Sequence, residues 1–214
     1  VDALVSLPRL WDCADAPRSL IWLEEFGFGY YPVDQSAAPY DEAYFAKYEG
    51  YAKTTMGFAL SIARTRLIER HWPCGPVVDV GIGCGDFVER RPNTFGYDIN
   101  PAAVRWLLQH DRYWNPRIDP CQAVSMWDVL EHMPDFPDLL LNVQFRAFVA
   151  LPVFENLDHV LRSRHFRPDE HCWYFTVDGF VRAMNELGWW KLETNWIETV
   201  LGRDHIASFA FRRA

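Results

Sequence analysis

The hydrophobic pattern changes twice along this chain. Through residues 1–40 it is irregular, punctuated by Pro8, Pro17, Pro32 and Pro39, with one strand-like patch at 20–31 in which Gly27 and Gly29 predict a hairpin or bend. From Asp41, a plausible N-cap, to about His71 the period becomes helical, and Gly50 and Gly57 are expected to divide this stretch into two helices. After Pro73-Cys74-Gly75-Pro76 short apolar strands alternate with short helices. Strands are predicted over 77–80, 94–97, 123–127 and 145–151. Helices are predicted over 86–91, where Pro92 stops them, 101–110, 139–143 and 176–187. Two more strand-like runs, about 190–200 and 205–212, flank Gly202-Arg203-Asp204, which reads as a hairpin turn. Trp189 and Trp190, at the head of the first, are expected in the core.

Strand and helix in alternation specify an α/β fold. The expected form is a Rossmann-like three-layer sandwich: a mostly parallel sheet, a C-terminal antiparallel hairpin and an N-terminal helical cap. The division expected is residues 1–72 for the irregular segment and cap, and 73–214 for the ligand-binding domain. A third strand is due between His110 and Gln122, but Asn115-Pro116 and Asp119-Pro120 break it, so it is expected to be short, displaced or missing.

In such a sheet, ligands bind beyond the carboxyl ends of the strands. The strand at 77–80 delivers the chain to Gly81, Gly83 and Gly85, where the missing Cβ atoms permit positive φ and let a ligand approach the backbone. The next strand ends in Gly96-Tyr97-Asp98, which puts a carboxylate at the same edge, placed to bind both hydroxyls of a ribose. Two nucleoside cofactors compete for this geometry. A dinucleotide calls for Gly-x-Gly-x-x-Gly and a helix N-terminus turned to its pyrophosphate, as in an oxidoreductase. Here the spacing is Gly-x-Gly-x-Gly, and Asp86 heads the helix and would repel a pyrophosphate. Asp79 and Asp86 suit instead the zwitterionic methionine arm of S-adenosylmethionine, with Asp79 facing its ammonium directly or through water. A tight structural turn followed by a surface Asp is the bland alternative.

Three segments resemble the successive motifs of class I S-adenosylmethionine-dependent methyltransferases: Asp79 to Gly85, Gly96-Tyr97-Asp98-Ile99-Asn100-Pro101, and Ser125-Met126-Trp127-Asp128-Val129-Leu130-Glu131-His132. The likeness is closest to the bacterial and phage small-molecule branch with Leu-Glu-His after the fourth strand, and covers roughly residues 41–213. It implies that Asp98 holds the ribose, Ile99 lies along the adenine, and Met126 and Trp127 line the methionine arm. The family's polar adenine contact has no clear counterpart, with Asp119 or Gln122 as stand-ins.

For the chemistry, Glu131-His132 and Glu170-His171 are carboxylate-histidine pairs in loops at the cofactor edge. His132 is the leading general base, the alternative being a capping or backbone-bonding role beside Pro134. His171 either lines an acceptor pocket walled by Trp173, Tyr174 and Phe175, or ties down its loop above a core of those rings. Tyr44, Phe45, Tyr48 and Tyr51 share one helical face, either as a lid or as packing on the sheet. Ligand types abound (His132, His165, Asp169, Glu170, His171), but His-Glu-x-x-His is absent and no required metal is expected. Cys84 reads as passive.

Composition narrows the class. Half the residues are hydrophobic and 23% charged, as in a folded globule. A net charge of −8 disfavours duplex nucleic acid and favours a small-molecule or group acceptor, although Arg162, Arg164, His165 and Arg167 offer a local basic groove. Five scattered cysteines without a Cys-x-x-Cys pair fit reduced thiols in the cytoplasm. No apolar run approaches the roughly 20 residues that cross a bilayer. The first residue is Val1, without the layout of a signal peptide or an initiator Met, so the chain is expected to begin inside a longer sequence. Oligomeric state is open, and a degenerate binding module remains the non-enzymatic alternative.

Overall fold

The computed structural model describes residues 19–32 and 40–214. Pro8, Cys13, Pro17, Pro39 and the start of the chain therefore lie outside the described residues. The core sheet runs β4 (Thr94–Tyr97), β3 (Val77–Val80), β5 (Cys121–Trp127), β6 (Val143–Phe154), β9 (Ile206–Arg213), β8 (Trp189–Asn195). The first four are parallel, and β9 is antiparallel to both its neighbours. The end of β6 continues into parallel β7 (Trp173–Thr176). This pairs with the hairpin of β1 (Ile21–Leu23) and β2 (Phe28–Tyr30), which turns at Gly27. This is the expected mixed, mostly parallel sheet, with the N-terminal hairpin as an added edge.

Alternation along the strands makes three layers. Val124 and Met126 of β5, Ala147, Val149 and Leu151 of β6, and Phe209 and Phe211 of β9 pack on one face. They meet Phe136, Leu139 and Leu140 of α5 (Phe136–Leu141) and Phe180, Ala183 and Met184 of α7 (Val177–Glu186). The intervening Ala123, Trp127, Phe148, Ala150 and Ala210 face the other way. They meet Leu67 and Ile68 of α2 (Thr55–His71) and Phe87 of α3 (Asp86–Arg90). A period of two on a sheet buried on both faces is what a three-layer sandwich requires. A satellite cluster joins Ile82 and Val88 to Ala103 and Leu107 of α4 (Pro101–Gln109) and to Phe45 of α1 (Glu42–Ala52).

Several boundaries differ from the sequence reading. Asp41 does cap α1, accepting from Tyr44 N at 2.9 Å. The break to α2, however, falls at Lys53-Thr54, where Thr54 caps the second helix through Gly57 N, not at Gly50 or Gly57. Gly57 serves the crossing instead, since a Cβ there would sit 2.4 Å from Tyr51 O. The expected third strand shrinks to one parallel bridge between Gly96 and Tyr113, because Pro116 and Pro120 stop it. Helix α5 starts before 139, and β6 extends beyond both predicted ends. β8 stops at Asn195, whose side chain accepts from Ile197 N and starts α8 (Ile197–Val200), so 202–204 is not a tight hairpin turn. Trp189 is buried as expected, but Trp190 alternates outward and is 51% exposed. Among the described residues, no helix is long and apolar enough to cross a membrane, and Cys74, Cys84, Cys121 and Cys172 are free thiols.

Candidate active site

Strand β3 lies between β4 and β5, so the chain leaves it toward one side of the sheet and later returns on the other. The crevice at such a reversal is where ligands of α/β sheets bind. A cavity of about 1090 Å³ opens there, at the top of the size range of small-molecule sites.

Gly81, Gly83 and Gly85 follow β3 with φ of 73°, 59° and 85°. Gly81 is required twice over, since its left-handed backbone disfavours a side chain and a Cβ would meet Val129 Cγ2 at 2.4 Å. Gly81 and Gly83 line the cavity. Gly85 does not: it caps α3 in the left-handed conformation with its open side against the Trp106 ring, so it shapes the turn rather than touching a ligand. Asp86 lines the cavity and pairs with Arg90 at 2.8 Å, which offsets part of the negative charge predicted at that helix head.

Asp79 sits at the cavity floor, almost wholly buried, and accepts from Ser125 Oγ at 2.6 Å. Burial raises its carboxyl to about 8 against the pull of that hydrogen bond and of Arg64. Asp98, at the end of β4, accepts from Asn100 N at 2.8 Å. Burial raises it as well, opposed by the backbone amides of Asn100, Ile99, Ile82 and Gly83. Ile99 is 64% exposed at the cavity wall. Trp127 lines the cavity through its ring. Met126 does not, because the alternation of β5 turns it into the core on the opposite face. Asp119 and Gln122 are exposed elsewhere. The cavity instead holds Arg117, beside Tyr97, and Asp135, an ion pair that the sequence reading missed.

Also lining the cavity, Glu131 and His132 form a 3₁₀ turn after β5, and His171 precedes β7. Reciprocal bonds clasp these loops: His132 Nδ1 donates to Glu170 O at 2.9 Å, Cys172 N donates to Glu131 O at 2.8 Å, and Trp173 Nε1 donates to Met133 O at 3.0 Å. The two imidazoles thereby stand edge to face with centroids 4.5 Å apart. Burial lowers both, His171 to about 3 with His132 adding to it, so both rings are neutral at pH 7. Trp173, Tyr174 and Phe175 are not acceptor walls. They are buried in the core behind His171.

Tyr44 and Tyr48 of α1 line the cavity and share a hydroxyl hydrogen bond of 3.2 Å, and Tyr40 stands edge-on to Tyr44. Tyr51 also lines it, whereas Phe45 belongs to the satellite core. The predicted helical face thus splits between wall and packing. Beneath it lies a group the sequence reading did not find: Arg64 and Arg203 bridge Asp128 and Glu198 in a closed quartet. Its members come from α2, the loop after β5, α8 and the β8–β9 connection. Only the positive φ of Asp128, at 59°, marks the place, and that is invisible in a sequence.

The profile of a methyltransferase domain matches residues 53–194, more than half the chain. The chain belongs to this methyltransferase family. Among solved structures, the methyltransferase resembles a SAM-dependent methyltransferase from Thermotoga maritima with TM-score 0.57 and 10% identity, over 81% of this chain and 97% of that one. It resembles a SAM-dependent methyltransferase from Archaeoglobus fulgidus with TM-score 0.57 and 13% identity, over 79% and 100%. These likenesses establish the class I fold. The pyocyanin biosynthetic protein PhzM also matches, with TM-score 0.49 and 14% identity over 71% of this chain, which spans only 54% of its length. No curated protein matches the sequence.

Proposed function

We propose that this methyltransferase uses S-adenosylmethionine to methylate a small-molecule acceptor at oxygen, nitrogen or carbon. The observation that carries the reading is that one cavity is lined by Asp79, Gly81, Gly83 and Asp98 together with His132 and His171. The residues present fit the cofactor. Asp79 is a buried acid that accepts from the neutral Ser125 hydroxyl, so it gains from a cation such as the cofactor's ammonium. Gly81 and Gly83 leave room for close approach, Asp98 is held by amides at the ribose position, and the exposed Ile99 offers a flat apolar contact to adenine. Trp127 walls the methionine arm. Met126 and Gly85 act one layer back, Met126 as the packing under that wall and Gly85 as the helix cap.

The cofactor supplies a methyl group on a sulfonium, ready for in-line displacement. The protein's task is alignment and control of one proton. His132 fits the base, since the Glu170 carbonyl fixes its proton on Nδ1 and leaves Nε2 the basic nitrogen. His171, neutral and against its edge, orients it. Of residues 1–72, helix α1 serves as the cap on the 73–214 cofactor domain, with Tyr44 and Tyr48 narrowing the entrance to shed water. The acidic surface and the absence among the described residues of a membrane-crossing helix favour a cytoplasmic enzyme that does not bind duplex nucleic acid.

Calorimetric titration with S-adenosylmethionine, S-adenosylhomocysteine and NAD tests the reading. Binding of the first two in the micromolar range, on the order of −8 kcal/mol, and not of NAD supports it. No heat from either sulfur compound overturns it.

A further inference from the structure

Glu131 is an odd neighbour for two imidazoles. Its side chain is 2% exposed, and its Oε2 has no hydrogen-bond donor among the described residues. A buried carboxylate left unpaired is expensive, and such groups are normally matched by a cation. Among the described residues no lysine or arginine bonds it: Arg64 and Arg203 bond Asp128 and Glu198, and Arg167 bonds Glu170. Two imidazole nitrogens lie near it. One carboxylate oxygen of Glu131 and one ring nitrogen each of His132 and His171 lie within 4.8 Å of one another.

We propose that Glu131, His132 and His171 form a site for a first-row divalent cation, of the Zn²⁺, Co²⁺ or Mn²⁺ kind, that holds a hydroxyl of the acceptor. The inference rests on the methyltransferase reading above for its role, though not for the site itself. Bond lengths of about 2.0–2.2 Å put ligand atoms roughly 3.0–3.5 Å apart around such an ion, so the three side chains need to close by about an ångström. His132 carries the mark of a ligand. Its Nδ1–H is given to the Glu170 carbonyl, which aims Nε2 away from that bond, and backbone carbonyls fix metal-binding histidines in this manner. Two nitrogens and one oxygen favour a transition-type ion over Mg²⁺ or Ca²⁺, which take oxygen.

All three residues line the cavity, so the remaining coordination positions face the acceptor. The lone pair assigned above to proton transfer then belongs to the ion, which acidifies the hydroxyl in place of the imidazole. The O–H bond breaks with its proton passing to water, and oxygen keeps the pair. That oxygen forms the new bond to the methyl carbon as the carbon–sulfur bond breaks, its electrons going to sulfur. The acceptor atom is therefore oxygen.

The test is titration of the chelator-treated full chain with Co²⁺, read by visible absorption. The site predicts one saturable ion per chain with d–d bands, displaced by Zn²⁺. Glu131→Gln, His132→Ala and His171→Ala should each weaken it at least tenfold while far-UV circular dichroism stays unchanged. The near-isosteric Glu131→Gln keeps the test valid if an alanine variant misfolds. Absence of saturable binding below about 1 mM, or binding that Glu131→Gln leaves intact, overturns the proposal. Calorimetry with S-adenosylmethionine on the metal-free protein separates the two readings. Cofactor binding without cobalt binding removes only the metal; cobalt binding without cofactor binding removes the methyltransferase role and leaves the site.

Discussion

Ser125 Oγ donates to Asp79 Oδ1 at 2.6 Å, joining the centres of β5 and β3 directly beneath the glycine loop. Burial holds this carboxyl at about 8, so in the free protein it is mostly protonated at pH 7. A bound ammonium favours the ionised form. Cofactor binding near pH 7 should therefore release about one proton, and affinity should rise with pH until about 8 and then level off. Calorimetry in buffers of different ionisation enthalpy measures the proton directly. Asp79→Asn should abolish the release and flatten the profile. A wild-type protein that binds without proton release shows that Asp79 does not meet the ammonium. The sign for folding is opposite. A folded value above the unfolded one means that the stabilising protonated form is lost as pH climbs through 8, so Asp79→Asn should stabilise the free fold most at alkaline pH.

Asp98 carries a separable prediction. Its carboxylate is already bonded to backbone amides, which fix it before a ligand arrives. Asp98→Ala should weaken cofactor binding by about 1–3 kcal/mol, the cost of stranding the hydroxyls it pairs. A 2′,3′-dideoxy analogue should lose the same amount against the wild type and nothing further against the variant. Additive losses place the ribose elsewhere.

Asp79, Gly81, Gly83 and Asp98 were legible because their chemistry is local: a strand end, a turn that excludes Cβ, and a second strand end at the same edge. Histidines 132 and 171 were legible as candidates, but their meeting was not. It depends on hydrogen bonds between the turn after β5 and the residues before β7, and no periodicity encodes those. Met126 was misplaced by one step of strand alternation, since the motif names a segment and the pleat decides which face each residue takes. Trp190 failed for the same reason. The Arg64–Asp128–Arg203–Glu198 quartet was illegible because four distant charges look like a solvated surface until the fold closes over them.

The edge of the sheet holds a second ionic cluster with an acid-side signature. Glu193 of β8 accepts from Arg70, His71 and Asn195, and the Arg70 hydrogen bond leads in lowering its carboxyl to about 2. The unfolded chain titrates near 4.5, so the stability it contributes is present above that value and drains away as pH falls toward 2. Glu193→Gln should lower the melting temperature at pH 7, and the gap should close between about pH 4.5 and 2. The cluster is partly exposed, so the gap should also narrow in high salt. A gap independent of pH assigns the loss to packing.

The quartet sets how the cavity floor is held. Glu198 is fully buried, and its two arginines also serve Asp128, so removing one carboxylate strands positive charge. Arg64 further lies 5.2 Å from the centroid of the Trp127 ring, coupling the ions to the cavity wall. Breaking a buried pair by deleting one partner costs about 3–5 kcal/mol, whereas replacing both with apolar groups of similar volume is often neutral. Glu198→Ala should accordingly fall in or near that range in urea denaturation. Arg64→Met with Glu198→Met, which leaves the Arg203–Asp128 pair intact, should recover much of the loss. The double variant should still bind cofactor more weakly than the wild type, because Trp127 loses the guanidinium that braces it. Unchanged stability in Glu198→Ala would mean that the quartet does not hold the fold, and full affinity in the double variant would mean that it does not shape the site.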